Sequence, residues 1–397
     1  MPLLYLDNNA TTRVDDRVVR AMIPYFTEIY GNPSSAHYLG SLAKEGVERA
    51  RKAVASFLGC FPEEVTFTSG GTEGDNAVLH SVKVCQPQRR HIVVSSLEHP
   101  AVARKTECMC HFDGFEATPV EPNRRGVITP EAIQKAMRPN TALVSVMLAN
   151  NETGVVNPVA DIAKVAKTGG ALLHVDGTQA VGKIPINFRK LGADYFVFAG
   201  HKFHGLKGVG AVLVKRGVCF SPLMVGGSQE GNRRGGTENV PGIVGLGAAC
   251  GFGEEALPVM ASQVRALRDA LQEEIVQTFR DGVFVVGDLA PRTPNTLLLA
   301  FKNTHGRLVQ DYLSERGVCV GTGSACSCLA AMSPSATVKA MGVPEPYRMG
   351  IVRISLSKYQ SPAYGGNPAD LGVVVQLLKR ARLDGALGAW APEKAKR

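Results

Sequence analysis

Short apolar runs alternate with amphipathic stretches through the first half of the chain. Runs such as Val65–Thr68 and His91–Ser95 are rich in β-branched residues, which is typical of strands. The stretches Thr72–Val84 and Pro158–Thr168 carry apolar residues at helical spacing. Strands that are apolar along their whole length and alternate with helices indicate a mostly parallel sheet covered on both faces. The pattern therefore predicts an α/β fold from about residue 60 to residue 215.

Helical patterns stand on both sides of this region. Apolar residues recur at helical spacing across 36–58, and the pattern stops at Gly59, a residue type that often follows a helix. A second helical stretch covers about 241–279. We therefore expect one long helix before the sheet and another after it.

The last third of the chain carries shorter elements. Apolar strand-like runs alternate here with helical stretches, and this mixture predicts a smaller α+β domain. We expect a large domain at 17–255 and a small domain that combines 1–16 with 256–397. The strand-like runs of the small domain are Val283–Val286, Thr296–Phe301 and Val352–Leu356.

Length and composition are those of an ordinary globular protein. The 397 residues are 45% hydrophobic and 20% charged, which allows a sizeable core. The polar segment Asp7–Asn9 follows the first residues directly, unlike a signal peptide, and no apolar run reaches the ~18 residues that a membrane span requires. We therefore expect a soluble, cytoplasmic protein that does not associate with membranes.

The net charge of +9 is scattered along the chain. The sequence has neither the basic run nor the interleaved aromatic residues that favour nucleic-acid binding. The positive charge instead favours anionic small molecules or an acidic protein partner. The basic residues form short groups, namely Arg89–Arg90, Arg124–Arg125, Arg233–Arg234 and Lys394–Arg397.

Nine cysteines in a long chain without a secretory signal favour reduced thiols over a disulfide framework. Two C-x-C pairs, Cys108 with Cys110 and Cys326 with Cys328, lack the second ligand pair of a zinc site. The sequence therefore predicts no metal centre.

Two residues of opposite charge follow two of the strand-like runs. Lys202 comes after the run 194–199, and Asp176 comes after the run 171–175. Pyridoxal phosphate (PLP) requires an amine that forms a Schiff base and a carboxylate that keeps the pyridine nitrogen protonated. Because ligands of parallel sheets bind at the carboxyl ends of the strands, the pair predicts a PLP site.

The segment Ser69–Asp75 follows a strand and begins a helix. Its glycines allow close approach of an anion, the helix start offers unpaired N–H groups, and Thr72 adds a hydroxyl. An ordinary helix N-terminus has the same composition. Its place at a strand end, in a chain with Asp176 and Lys202, favours a phosphate-binding turn.

Several motifs together resemble those of cysteine desulfurases of the NifS/IscS type, within the class V group of fold-type-I PLP enzymes. The resemblance runs nearly end to end, and it implies the PLP-dependent transferase fold of type I. The matching segments are 6–12, 31–35, 68–73, 98–99, 149–154, 174–180, 200–203, 234–239, 321–326 and 352–356.

The resemblance implies four roles around the cofactor ring. Lys202 would hold PLP through its amine and later move the Cα proton of the substrate. Asp176 would pair with the pyridinium, and Gln179 would reach the ring hydroxyl. His99 would stack on the ring and act as an acid or base, although a helix N-terminal residue satisfied by the backbone is an alternative for it.

Further roles concern the phosphate and the substrate. The resemblance implies that Thr72 and His201 bind the phosphate, with Thr237 reaching in from the neighbouring subunit of a homodimer. Asn151 and Arg353 would hold the substrate carboxylate, and the planar guanidinium of Arg353 suits a bidentate contact.

Cys326 is the expected nucleophile. Its surroundings, 321–328, are small, polar and rich in glycine, which predicts a mobile loop. A thiolate there would attack the sulfur of bound L-cysteine, forming a persulfide and releasing L-alanine. The sulfur would supply iron–sulfur cluster assembly or another acceptor protein. Cys328 could assist, resolve or take no part.

The sequence departs from the family pattern at Ala199, where these enzymes commonly carry a serine that binds the phosphate. The loss of one hydroxyl contact costs about 1 kcal/mol. The motifs at 235–239 and 199–202 are also similar to those of selenocysteine lyases, so selenocysteine is an alternative substrate. A class V aminotransferase, which would not depend on Cys326, is a further alternative.

Overall fold

The protein, described here from a computed structural model that covers residues 3–323 and 334–388, is built around a central seven-stranded sheet. Its strand order is β2-β8-β7-β6-β5-β3-β4, and all pairs are parallel except those of β8 with its two neighbours. The predicted α/β fold with a mostly parallel sheet is thus confirmed. The strands of this sheet are β2 (Val65–Thr68), β3 (His91–Ser95), β4 (Glu116–Val120), β5 (Thr141–Ser145), β6 (Leu172–Asp176), β7 (Tyr195–Ala199) and β8 (Gly210–Val214).

Helices cover the central sheet and precede and follow it along the chain. The helix α3 begins after His37 and ends at Gly59, whose left-handed backbone (φ 62°) suits a glycine. The helices are α1 (Asp16–Met22), α2 (Pro24–Thr27), α3 (Tyr38–Leu58), α4 (Gly71–Cys85), α5 (Pro100–Phe112), α6 (Pro130–Ala136), α7 (Val159–Thr168), α8 (Phe188–Leu191), α9 (Gln229–Asn232), α10 (Val240–Val259), α11 (Arg265–Phe279), α12 (Gly306–Ser314), α13 (Ala336–Ala340) and α14 (Asp370–Leu383).

The later part of the chain forms a second, smaller arrangement. Three antiparallel strands in the order β12-β10-β9 pair with one another, and a short parallel pair joins β1 to β11. The apolar side chains of these elements and of α14 form a core cluster of their own. The strands are β1 (Leu4–Tyr5), β9 (Val283–Val286), β10 (Thr296–Phe301), β11 (Val318–Cys319) and β12 (Ile351–Ser355).

The strand predictions were accurate where a run is apolar and buried. The bounds of β2, β3, β9 and β10 coincide with the predicted runs. Two strands of the central sheet were not predicted. The strand β4 contains Pro119 and exposes Glu116, and β8 follows directly on a glycine-rich turn. Proline is tolerated in β4 because β4 lies at the edge of the sheet.

The segment 240–282 is helical throughout and long and apolar enough, by length and composition, to cross a membrane. The expectation that no such run exists was therefore too strict. Half of its most apolar 18-residue window is buried inside the protein. The first part of this segment, α10, packs against α1 and α3, as expected of a core helix.

One pair of cysteines departs from the expectation of reduced thiols. Cys85, at the end of α4, and Cys219, after β8, form a disulfide with a Cα–Cα distance of 6.0 Å. The two residues are 134 positions apart in sequence, and they meet because α4 packs on β8. A spacing of this kind gives no signal in the sequence.

Candidate active site

The carboxyl ends of the central strands deliver polar residues to one edge of the sheet. Asp176 ends β6, and Lys202 follows β7 after a single 3₁₀ turn. Because β8 is antiparallel to both β2 and β7, those two strands run in the same direction, and the turn after β2 lies at the same edge. Side chains that are far apart in sequence therefore converge.

They converge on a cavity of about 280 Å³. Of the predicted site residues that the structure describes, Thr237 does not line it and is exposed in the segment before α10. The predicted nucleophile Cys326, like Cys328, lies outside the described residues. The predicted residues that line it are Thr72, His99, Asn151, Asp176, Gln179, His201, Lys202 and Arg353.

The amine of Lys202 is held at the floor of this cavity. Its Nζ donates to the backbone oxygens of Asn9 and Ala10, at 2.8 and 2.9 Å. Both acceptors belong to the segment that follows β1, so the N-terminal residues help to position the lysine. Sequence reasoning included Asn9 in a family motif but gave it no role.

A second lysine, Lys183, lies behind Gln179 and is 4% exposed. Its Nζ donates to Oδ1 of Asn9 at 2.8 Å and to Oε1 of Gln179 at 2.6 Å. Gln179 in turn donates from Nε2 to the backbone oxygen of Asn9 at 2.9 Å. Sequence reasoning missed Lys183, although its spacing of four residues from Gln179 is a signal that could have indicated contact.

Three carboxyl groups lie close together near the end of β6. Oδ1 of Asp176 accepts a hydrogen bond from the backbone N–H of Thr178 at 2.8 Å. Burial, followed by the neighbouring Asp176, raises the pKa of both Asp75 and Glu98 well above their usual values. Both shifts favour the uncharged forms of Asp75 and Glu98 beside Asp176.

His174 lies between Asp75 and a serine one strand away. Its Nε2 is 3.3 Å from Oδ1 of Asp75, and its Nδ1 is 2.9 Å from Oγ of Ser145. Burial lowers the pKa of His174 to about 4, so the ring is neutral at physiological pH. This buried network lies on the strand that carries Asp176.

The two histidines that line the cavity, His99 and His201, both have pKa values below the usual one. His99 precedes α5, and its Nδ1 accepts a hydrogen bond from the backbone N–H of Ala101 at 3.1 Å, so it both caps the helix and lines the cavity. Burial lowers its pKa. Burial, followed by the charge of Lys202, lowers the pKa of His201 to about 4.

Arg353 comes from β12 and is 1% exposed. Its Nη2 contacts Oδ1 of Asp7 at 2.7 Å, and its Nη1 donates to the backbone oxygen of Asn151 at 2.9 Å. Its Nε has no hydrogen-bond partner among the described residues. Arg353 also lines the cavity, and a planar guanidinium at that place suits the binding of a carboxylate.

The part of the cavity lined by the start of α4 is suited to an anion. The helix α4 begins at Gly71, and Gly71 and Thr72 line the cavity together with Ala199. Gly70 precedes the helix with a φ of 152°, a conformation that side chains rarely adopt. The helix start therefore presents N–H groups and a positive dipole end to the cavity.

The donor set of the cavity matches a phosphorylated pyridine aldehyde. It provides the amine of Lys202 and the N-terminus of α4, which can bind a phosphate. It also provides the carboxylate of Asp176, which the backbone N–H of Thr178 orients. The buried guanidinium of Arg353 lines the same cavity. These groups fit the requirements of PLP and of an amino-acid substrate.

Comparisons with known proteins agree with this geometry. Residues 4–363 match the aminotransferase class-V family. The chain is 43% identical to a cysteine desulfurase of a Nostoc species over 363 residues, which are 91% of this chain and 90% of the relative. It is 40% identical to a cysteine desulfurase of Gluconacetobacter diazotrophicus over 98% of both chains. The chain therefore belongs to the class-V aminotransferase family, in its cysteine desulfurase group.

Solved structures show the same fold. A NifS-like protein, 37% identical, superposes with a TM-score of 0.88 over 96% of this chain and 100% of its own. SspA, solved in complex with cysteine and 32% identical, superposes with a TM-score of 0.79 over 90% of this chain and 99% of its own. The fold class is thus shared along most of the chain.

Proposed function

We propose that the protein is a PLP-dependent cysteine desulfurase that converts L-cysteine to L-alanine and carries the sulfur as a persulfide on Cys326. The observation that supports this most directly is the convergence of Lys202, Asp176 and Arg353 on one cavity. A class V aminotransferase or a selenocysteine lyase would use the same cavity, but the curated relatives described above are cysteine desulfurases.

PLP, when bound, supplies an electron sink for the bond changes at the substrate Cα and Cβ. Lys202 would hold it covalently through Nζ, Asp176 would keep its ring nitrogen protonated, and Gln179 would donate to its ring oxygen. Thr72, His201 and the N-terminus of α4 would bind its phosphate. His99, whose pKa burial lowers, would stack on the ring and accept or return a proton.

The substrate would be held by its carboxylate. Arg353 presents a guanidinium with an unpaired Nε among the described contacts, and Asn151 lines the cavity beside it. Lys202, at the floor, would remove the Cα proton of the bound amino acid.

The sulfur step would belong to Cys326. Its thiolate attacks the sulfur of the substrate, a new S–S bond forms, and the C–S bond breaks. The electron pair of the C–S bond remains with the carbon skeleton, which takes up protons from Lys202 and His99 and leaves as alanine. The enzyme is left with a persulfide that a thiolate of an acceptor protein, such as an iron–sulfur scaffold, can attack.

We also propose that the enzyme acts as a cytoplasmic homodimer. Four exposed apolar residues in the α1–α2 segment and just after it form a stripe on its surface, and Thr237 is exposed and does not line the cavity of its own chain. A second subunit would cover the stripe and receive Thr237 at its phosphate site. The stripe consists of Val19, Ile23, Phe26 and Tyr30.

The experiment that tests this function is mass spectrometry after a short pulse of L-cysteine, with alanine measured in parallel. We expect one added sulfur on the peptide that contains Cys326 and an equal amount of alanine. Borohydride reduction should attach a pyridoxyl group to Lys202. A protein without the pyridoxyl group at Lys202 would contradict the proposal.

Two matched variants separate the cysteines. Cys326→Ala should lose persulfide formation yet keep the bound cofactor, whereas Cys328→Ala should keep both. An added sulfur that persists in Cys326→Ala would show that another thiol is the nucleophile.

A further inference from the structure

Lys183 is a buried amine that the proposed reaction does not use. It lies beside the reactive lysine, and its Nζ reaches Asn9 and Gln179 rather than the cavity. Asn9 links the two lysines, because its backbone oxygen accepts from Lys202 while its side-chain oxygen accepts from Lys183. Burying a lysine amine destabilises the folded protein unless its N–H groups form hydrogen bonds.

The hydrogens of Lys183 are matched by two acceptors. Burial, followed by the charges of Lys202 and Arg353, lowers the pKa of Lys183 well below its usual range. The side-chain oxygens of Asn9 and Gln179 each accept one N–H of this amine. Lys183 is therefore tied by hydrogen bonds to two residues that contact or face the reactive lysine.

Other ionisable groups face this lysine. His201, from the turn after β7, and His204, from the same turn, both have their pKa lowered, first by burial and then by neighbouring positive groups that include Lys183. Arg353 faces it from β12. Asp176, the carboxylate that lines the cavity, precedes Gln179 in the sequence, whereas Lys183 follows it.

The contacts determine which way the amide of Gln179 points. Its Oε1 accepts from Lys183 and its Nε2 donates to the backbone oxygen of Asn9. Turning the amide over would place Oε1 against that backbone oxygen, so two acceptors would meet. With Lys183 in place, the N–H₂ end stays on the side of Lys202.

We propose that Lys183 is a positioning residue that holds the side chain of Gln179 with its N–H₂ group available to the ring oxygen of the cofactor. This inference rests on the proposed function, because it assumes that PLP occupies the cavity with its ring oxygen near Gln179. Lys183 touches neither cofactor nor substrate, and it acts through Gln179 and Asn9.

The consequence is a shift in the proton affinity of the cofactor-bound Lys202 nitrogen. An N–H group that donates to the ring oxygen stabilises negative charge there, so the oxygen attracts the proton of the Lys202 nitrogen less strongly. If Gln179 is no longer held, this nitrogen keeps its proton to higher pH. The pH midpoint of the visible absorbance change in the holoenzyme reports the effect directly.

The test is a spectrophotometric pH titration of the holoenzyme in the wild type and in Lys183→Met, Gln179→Ala and the double variant. We expect Lys183→Met to raise the midpoint by up to about one pH unit, which corresponds to one lost hydrogen bond. Gln179→Ala should raise it at least as much, and the double variant should match Gln179→Ala alone. Additive shifts, or an unchanged midpoint in Lys183→Met, would overturn the proposal.

Two further variants serve as controls. Lys207→Met removes an exposed lysine of the turn after Lys202 and should leave the midpoint unchanged. Lys183→Gln retains N–H donors on a shorter chain, so it should fold if Lys183→Met does not, and it should show a smaller shift in the same direction. A midpoint shift in Lys183→Gln as large as that in Lys183→Met would show that the N–H donors of residue 183 do not matter and would also reject the role.

The failure of this inference can be told apart from the failure of the proposed function. If borohydride traps no pyridoxyl group at Lys202 in the wild type, the function is wrong. If trapping succeeds in every variant and the midpoints do not depend on Lys183, only the positioning role is wrong.

Discussion

Arg353, which is buried, and Asp7, which is partly buried, form an ion pair between β12 and the segment after β1, with Nη2 2.7 Å from Oδ1. The pair fixes the plane of the guanidinium beside the cavity, while the second terminal nitrogen bonds to the backbone of Asn151. An arginine held on two sides can receive a carboxylate without reorienting, which reduces the cost of binding.

Arg353→Lys should lower the catalytic efficiency of the enzyme with cysteine as the substrate. A lysine keeps the charge but lacks the planar guanidinium, whose several N–H groups can contact Asp7, Asn151 and the substrate carboxylate at the same time. We expect kcat/KM to fall about 10- to 100-fold, the value of one charged hydrogen bond. Steady-state alanine formation measures this. Arg348→Lys, outside the cavity, is the matched control, and equal losses in both variants would contradict the assignment.

Ala199→Ser should strengthen the binding of PLP. Ala199 lines the anion end of the cavity near Gly71, and a serine there adds a hydroxyl that can donate to the phosphate. A gain of about 1 kcal/mol corresponds to roughly fivefold stronger binding of PLP by the apoenzyme. Pyridoxal, which has no phosphate, is the control ligand and should bind both proteins equally. An equal gain in affinity for pyridoxal would show that the added hydroxyl does not act through the phosphate.

His204 should make the stability of the fold dependent on pH. Burial, followed by the charge of Lys358, lowers its pKa to about 4, below the value of about 6.5 in an unfolded chain. Between those values the unfolded state binds a proton that the folded state does not. The contribution of His204 is therefore complete above pH ~6.5 and is lost as the pH falls toward 4, by at most about 1.4 kcal/mol per pH unit.

His204→Asn is the variant that tests this. The backbone φ of His204 is 71°, which asparagine tolerates, and its amide can donate to the oxygen of Arg13 as the ring does. Urea unfolding at pH 7, 6 and 5 should show a smaller loss of unfolding free energy in the variant than in the wild type. Parallel pH profiles would contradict the prediction.

Phe26→Asp should convert the proposed dimer into monomers. Phe26 is 60% exposed in the apolar stripe of the α1–α2 segment, where a second subunit would bury the new charge without a partner. Sedimentation of the wild type and the variant measures the change. Phe112→Asp is the control, because Phe112 is 76% exposed at the end of α5, outside the stripe. If the Phe26→Asp protein is still a dimer, the stripe is not part of the interface.

Much of the candidate site could be predicted from the sequence because its residues stand directly after apolar runs. A run such as 195–199 becomes a buried strand through its own composition, and whatever follows it must lie at a strand end. Lys202 and Asp176 were predicted on this ground, and the structure brings both to one cavity. The glycine-rich start of α4 was likewise visible as a helix N-terminus after a strand.

What the sequence alone determined was local: which stretches become strands and helices, and which polar residues stand at their ends. The tertiary structure decided the contacts between distant segments. The antiparallel strand β8 brings the end of β2 beside that of β7, Asn9 reaches Lys202 and Lys183 from the start of the chain, and Cys85 meets Cys219. Such contacts depend on how whole elements pack, and no periodicity within a segment carries that information.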